Sequence, residues 1–335
     1  RIIWFTIPDH DYLAYPASHV ATKTLLALLT VSRATSYAAK TLLYTHCLYI
    51  DAPWRLDSLL SASIAKPCPP LPVSCIQKLY LAPFPGRTIR DRRIICQITE
   101  LFTLLGPSLK RLVINMPLRS HYPEEDVTDK LRPILRQGFK QLERLEEFSS
   151  VKDELYLGYW NQESLDDIDK YGITEDDFGP MEYAYNDFMF EEWTHLRSLA
   201  LYNCALDDLF RKALARLPLL ERVVLARPDY YYDDDDEEEG SSLYVDDTAP
   251  LVGDRVNFTV VDATEDVATA GLQQLIGTNI GSDTQSNVWK FSVLMDKDED
   301  PISFVQNWTL QHMLDGSLWS LSDLAELSAS SSGEA

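Results

Sequence analysis

Between Ala21 and Leu43 the apolar residues come in two bursts, Leu25, Leu26, Leu28 and Leu29, then Ala38, Ala39, Leu42 and Leu43. Within each burst they recur at three- and four-residue intervals, the spacing that gathers side chains on one helix face. Ser32, Arg33, Thr35 and Ser36 stand between them, and hydroxyl side chains there suit a helix end or a fresh N-cap. The pattern therefore predicts two short helices rather than one long one. A third amphipathic stretch, Trp54 to Ser63, carries Trp54, Leu56, Leu59 and Leu60. Pro67, Pro69, Pro70 and Pro72 follow it. Prolines cannot continue a helix, so they mark a stiff linker after a helical segment of residues 1–65.

Past Pro72 a different pattern repeats: an apolar residue, another three positions on, and another five positions on. It occurs as Ile76/Leu79/Leu81, Leu109/Leu112/Ile114, Leu196/Leu199/Leu201, Leu220/Val223/Leu225 and Val288/Phe291/Val293. A weaker copy, Leu142/Leu145, has Glu147 in the third place. The second and third positions share one face of a strand, and the first packs in from the preceding turn. Steps between copies are 33, 33, 54, 24 and 68 residues, which is irregular beside the roughly 20–29 of a regular leucine-rich array. Helical stripes fill two of the gaps. Ile94, Ile95, Ile98, Leu101, Phe102 and Leu105 run to Gly106-Pro107, and Leu206, Leu209, Phe210, Ala213, Leu214 and Leu217 run to Pro218. Each leads directly into the next strand, the arrangement of a crossover helix joining parallel strands. The predicted fold class is α/β, an irregular solenoid of parallel strands and crossover helices over residues 66–327. A generic α/β domain whose buried strands merely look alike is the other reading.

Two insertions interrupt this array. Residues 152–192 mix aromatics with acids, and residues 229–248 contain seven consecutive acids from Asp233 to Glu239. Like-charge repulsion predicts an extended, solvated loop for the second. The low-complexity end, 328–335, is expected to be a disordered tail. Tyr and Trp dominate interface energetics, which makes Tyr156, Tyr159, Trp160, Tyr183 and Tyr185 of the first insertion the candidate target-binding residues.

Charge separates the chain into unequal parts. Residues 1–120 carry 14 Lys+Arg and 6 Asp+Glu, a balance of +8, and residues 121–335 carry 16 against 46, a balance of −30, together the net −22. The acidic part would repel a phosphate polymer, so no nucleic-acid partner is expected. Leu25 to Val31, interrupted by Thr30, falls far short of the roughly 20 apolar residues of a membrane helix. No signal-peptide layout is seen, and neither membrane association nor secretion is expected. The five cysteines are odd in number and scattered, which fits reduced thiols in a cytoplasmic or nuclear protein better than a disulfide framework or a zinc site.

Chemistry-bearing motifs are missing. There is no Gly-x-Ser-x-Gly elbow, no dinucleotide or phosphate loop and no His-Glu-x-x-His, and the six histidines never come in ligand pairs. Neither a catalytic residue nor a cofactor nor a metal is predicted, and a non-enzymatic role is expected.

Thr24-Leu25-Leu26-Ala27-Leu28-Leu29-Thr30-Val31-Ser32-Arg33, followed by Ala38-Ala39-Lys40-Thr41-Leu42-Leu43-Tyr44, resembles the second half of a fungal-type F-box. In that family a leucine-rich helix ends in Val-Ser-Arg or Val-Cys-Arg. A second helix then ends in Leu-Leu-Tyr and leads to a short apolar strand, here Leu48-Tyr49-Ile50. Trp54 to Leu60 is similar to the linker helix that precedes repeats in such proteins. Only Ile7-Pro8-Asp9 stands where the family opens with Leu-Pro-x-Glu-Ile/Leu, so the F-box-like segment is degenerate or truncated at its start.

The resemblance implies that Leu25, Leu26, Leu29, Val31, Leu42 and Leu43 bury against a Skp-type adaptor of a cullin-type ubiquitin ligase. The repeat domain would then select a protein substrate, and the chain would act by proximity rather than chemistry. The alternative is a repeat-scaffold interaction protein with a vestigial F-box, in which the same leucines form the cap that an open array end needs.

Overall fold

Hydroxyl capping begins the second helix where the pattern placed a break. In the computed structural model α1 (Val20–Leu28) is followed by α2 (Arg33–His46). Ser32 Oγ accepts from Thr35 N at 3.2 Å while Thr35 Oγ1 accepts from Ser32 N at 2.9 Å, a reciprocal capping box. The third predicted helix is α3 (Pro53–Ile64). The structure describes residues 2–64, 73–86, 88–126, 128–153, 155, 157, 188–205, 208–228, 256–262, 288–293 and 300–321. The proline cluster, the acidic run 233–239 and the tail 328–335 lie outside them.

The chain forms two units, residues 1–145 with 155–193, and residues 146–154 with 194–335. In the first, β1 (Tyr49–Ile50), β2 (Lys78–Leu81) and β3 (Arg111–Ile114) run parallel, with Ile50 opposite Leu81 and Leu79 opposite Leu112. Helix α3 makes the crossover from β1 to β2, and α4 (Arg92–Leu105) makes the next. All six residues of the predicted α4 stripe, Ile94 to Leu105, are buried, and each contributes about 1.5–3 kcal/mol against leaving it exposed.

Helix α5 (Leu131–Phe139) then packs against α4. The approach is close: a Cβ on Gly138 would lie 2.9 Å from Thr99 Cα, and one on Gly106 only 2.1 Å from Gln141 O. Gly106 is therefore demanded by space, not by an unusual backbone angle. Thr99 Oγ1 donates to Ile134 O at 2.9 Å across this contact, and the Phe102 and Phe139 rings meet at 4.9 Å.

The second unit holds β4 (Glu147–Ser150), β5 (Ser198–Tyr202), β6 (Arg222–Ala226), β7 (Asn257–Asp262) and β8 (Val288–Ser292). All are parallel, each paired with the next in chain order. Helix α6 (Asp208–Ala215) crosses from β5 to β6, and α7 (Pro301–Asp315) follows β8. The predicted class, α/β with parallel strands and crossover helices, is what the described residues form.

Two repeat copies need correcting. Phe148, not Leu145, lies opposite Leu199. The copy predicted at Leu142/Leu145 is thus Leu145/Phe148/Ser150, displaced by three residues, and all three are fully buried. Glu147, which breaks the apolar pattern, lies opposite Ser198. Likewise Val288 lies opposite Phe258, and Phe291 opposite Val261. Phe291 therefore does not share the row of Leu79, Leu112, Leu199 and Val223 that the pattern assigned it. A three-residue slip reverses strand face because side chains alternate with period two.

Candidate interaction surfaces

The two N-terminal helices possess a core of their own. Ile7, Tyr15, Ala21, Leu25, Ala39 and Leu42 form it, and Leu28, Leu29 and Leu43 pack partly against it. This divides the six candidate adaptor residues. Leu25 and Leu42 are consumed by internal packing, Leu29 and Leu43 are half-buried, and only Leu26 (48% exposed) and Val31 (67% exposed) face water. Val20 and Tyr37, not among the six, are exposed as well, at 68% and 62%. Helical spacing alone could not separate these sets, because Leu25 and Leu26 are neighbours in the same apolar burst.

From Tyr12 to Ile50 the chain has Lys23, Arg33 and Lys40 but neither Asp nor Glu. The exposed side of α1 and α2 is therefore apolar and basic.

A strap of residues before α1 ties this segment to the sheet. Lys78 Nζ donates to His10 O at 2.5 Å, Arg111 Nη1 donates to Asp11 O at 2.8 Å, and Tyr15 N donates to His46 O at 2.8 Å. Beneath it, the rings of Trp4 and His10 stack at 4.1 Å, and His10 Nδ1 comes within 3.4 Å of His46 Nε2. His46 is 3% exposed and its Nδ1 has no hydrogen-bond partner. Burial, reinforced by Lys78 and His10, pushes its pKa down to about 4.

A second polar cluster organises the start of α5. Asp126 Oδ1 accepts from Leu131 N at 2.7 Å and lies 3.0 Å from His121 Nε2, and its Oδ2 accepts from Arg132 N at 2.8 Å. Arg132, fully buried, donates through Nε to His121 O at 2.9 Å and through Nη2 to Leu118 O at 3.2 Å. Arg90 Nε donates to His121 Nδ1 at 3.2 Å. With both imidazole nitrogens engaged, this set locks a loop onto a helix rather than presenting a reactive group.

The predicted target-binding residues Tyr156, Tyr159, Trp160, Tyr183 and Tyr185 lie outside the described residues. Each end of their insertion carries buried residues. Leu155, Leu157, Met189 and Phe190 are buried, and the neighbouring Trp193 donates from Nε1 to Phe139 O at 3.0 Å.

In the second unit, charged side chains gather at the carboxyl ends of the strands. Arg227 Nη1 donates to Tyr202 Oη at 3.3 Å, and Arg227 Nε stands 3.8 Å from Asp262 Oδ1. Asn203 and Arg227 each follow the last residue of a strand with left-handed φ of 56° and 45°, which lets Asn203 N and Arg227 N bond onward to Ala226 O and Val261 O. Burial raises the Tyr202 phenol. Asp300 N-caps α7 by accepting from Ser303 N at 3.0 Å. Its carboxyl is held below the usual range by hydrogen bonds from Ser303 and, further off, by Arg227. Beside it a cleft of about 460 Å³ is lined by Asp300, Ser303, Phe304, Asn307 and Trp308. Neither this cleft nor α7 was marked by the sequence pattern.

At the other end of α7, Ser317 Oγ donates to Asp315 Oδ1 at 2.5 Å and meets His312 Nδ1. A nucleophilic triad needs imidazole between hydroxyl and carboxylate. Here the hydroxyl is in the middle, so the trio fastens a helix end. His195 lies exposed in a turn. Among the described residues no group of three or more His, Cys, Asp or Glu is placed to hold a metal, and no helix is long and apolar enough to cross a membrane. Compared with known proteins, the chain matches no family model, no curated protein and no solved structure.

Proposed function

We propose that the chain is a protein-interaction module, the substrate-recognition subunit of a cullin-type ubiquitin ligase. In this reading α1 and α2 are a degenerate F-box that docks a Skp-type adaptor. The parallel-stranded remainder is a leucine-rich-repeat-like receptor for a protein target, acting in the cytoplasm or nucleus. The observation that supports it most is the outer side of α1 and α2. Two helices that already bury a core keep Val20, Leu26, Val31 and Tyr37 in water, among cations and without a single acid from Tyr12 to Ile50. Exposed apolar groups collected on one small segment are characteristic of a surface awaiting a partner. The segment 152–192, with Tyr156, Tyr159, Trp160, Tyr183 and Tyr185, is the proposed target contact.

Internal burial of Leu25 and Leu42 favours the second reading, a repeat scaffold whose vestigial F-box serves as its cap.

A pull-down of the full chain with a purified Skp-type adaptor separates the two. Leu26→Asp/Val31→Asp alters only exposed side chains, so circular dichroism should match wild type. Loss of two interface anchors should weaken binding by about tenfold to a hundredfold. Wild-type protein that retains no adaptor at all would remove the ligase reading and leave the scaffold.

A further inference from the structure

We propose that one face of the second unit's sheet is a helix-binding surface for a protein target, and that α7 occupies it as the chain's own stand-in for that helix. The inference rests on reading the parallel-stranded part as a receptor, which both functional readings share. Side chains alternate across a strand, so each strand carries two rows. Leu199, Val223 and Phe258 line up across β5, β6 and β7 on one face, as do Leu201, Leu225 and Val260. The other face carries Ala200, Val224 and Thr259, then Tyr202, Ala226 and Val261. Both faces are buried.

Helix α7 covers the second of these faces. It and the following turn, Ser317–Ser320, pack on β6. Trp319 sets its ring 5.9 Å from the guanidinium of Arg222, which starts β6 on the same face as Val224. Beyond the other end of the strands, Asp300 is near enough to Tyr202 and Arg227 for their charges to act on one another. The helix therefore runs from the carboxyl end of the strands toward the amino end. Val305, Thr309 and Met313, four residues apart, are its buried side, and Thr309 Oγ1 donates to Val305 O at 2.6 Å, so no hydroxyl is buried unpaired. Helices α3, α4 and α6 each lead from one strand to a later one, whereas among the described residues no strand follows α7. It buries four side chains in 15 residues, where α4 buries six in 14. An added helix held by one narrow stripe over short side chains is the helix-in-groove mode of recognition. The pattern of α7 then describes the target helix: an acid to meet Arg227, apolar or small residues five, nine and thirteen positions on, and an aromatic at nineteen to meet Arg222.

The test uses the full chain and a fluorescent peptide with the sequence of residues 300–321, followed by anisotropy. In wild type the tethered helix competes at an effective concentration on the order of millimolar, so peptide at micromolar concentration should stay free. In a full-length Val305→Asp/Met313→Asp variant α7 is released, and the peptide should bind at least about tenfold more tightly than to wild type. The same two changes made in the peptide should abolish binding. Hydrogen exchange on the wild-type chain tests the point without a variant. Amides of residues 305–314 should exchange at least about tenfold faster than those of 222–226, and Trp319→Ala should widen the gap. Equal rates in wild type would make α7 an integral part of the core and overturn the proposal. A folded double variant that ignores the peptide would overturn it too, because the vacated face would then accept no helix. Neither measurement involves the adaptor, so a chain that fails to dock one can still pass both.

Discussion

His46 places a basic nitrogen where water does not reach, beside Lys78 and His10. Its folded pKa is about 4, against about 6.5 for an unfolded chain. Between those values the unfolded chain takes up a proton that the folded one refuses. Stability should therefore fall as pH drops from about 6.5 to about 4, by on the order of 3 kcal/mol in all, and recover none of it below. Denaturant melts at pH 7, 5.5 and 4.5 would show this, and His46→Phe should flatten the slope across the window. Parallel slopes for the two proteins would mean that other groups carry the acid limb. None of this could be read along the chain. The pairing of His10 with His46 spans 36 residues, and no local signal marks a histidine that a distant tryptophan and lysine will enclose. The Ser32 cap, by contrast, was legible because capping depends on side chains within three residues of one another.

The elements differ in how they announce themselves. Helix α4 was visible in full, since a clean apolar stripe is the direct imprint of one buried face. Helix α5 was not, because its buried face includes Arg132, Arg136 and Gly138 alongside Leu131, Leu135 and Phe139. Helix α7 was missed for a related reason: Phe304 and Trp308 sit opposite its buried face and blur the stripe. Strand β7 escaped because Arg255 stands where the repeat's first apolar residue was sought, though Phe258 and Val260 are buried.

Helix α5 also depends on an unusual start. Its N-cap residue, Lys130, has φ 50° and no side-chain cap bond, and Asp126 bonds the first amides instead. Asp126→Ala should therefore cost about 2–4 kcal/mol, leaving buried amides and His121 without their acceptor. Ser32→Ala, an exposed cap, should cost about 1 kcal/mol. Thermal melts of both variants would compare them, and equal losses would show that the α5 amides rehydrate freely.

Across the molecule, charge is the property most plainly written in composition. A balance of −30 over residues 121–335 opposes compactness through self-repulsion. Exposed ion pairs such as Arg90–Glu125 and Arg93–Asp57 are screened by solvent and offset little of it. Raising KCl from 20 to 500 mM shortens the screening length from about 20 Å to about 4 Å. The melting temperature should therefore rise by a few degrees, and a fall would show that attractive pairs outweigh the repulsion. The α/β class and the parallel pairing were legible because buried strands must repeat an apolar row. The register of individual copies was not, since Leu142, Leu145 and Phe148 satisfy the same spacing and only neighbouring strands choose among them.

Within each unit, every strand pairs with the strand adjacent to it in the chain. Such a sheet has a mechanical character. A pull on its ends meets the strands singly, so it should lengthen in successive increments instead of yielding at once. Each increment would release the chain stored between neighbouring strands. For the 33 residues from Leu79 to Leu112 that is about 110 Å of extended chain, and for the 24 from Leu199 to Val223 about 80 Å.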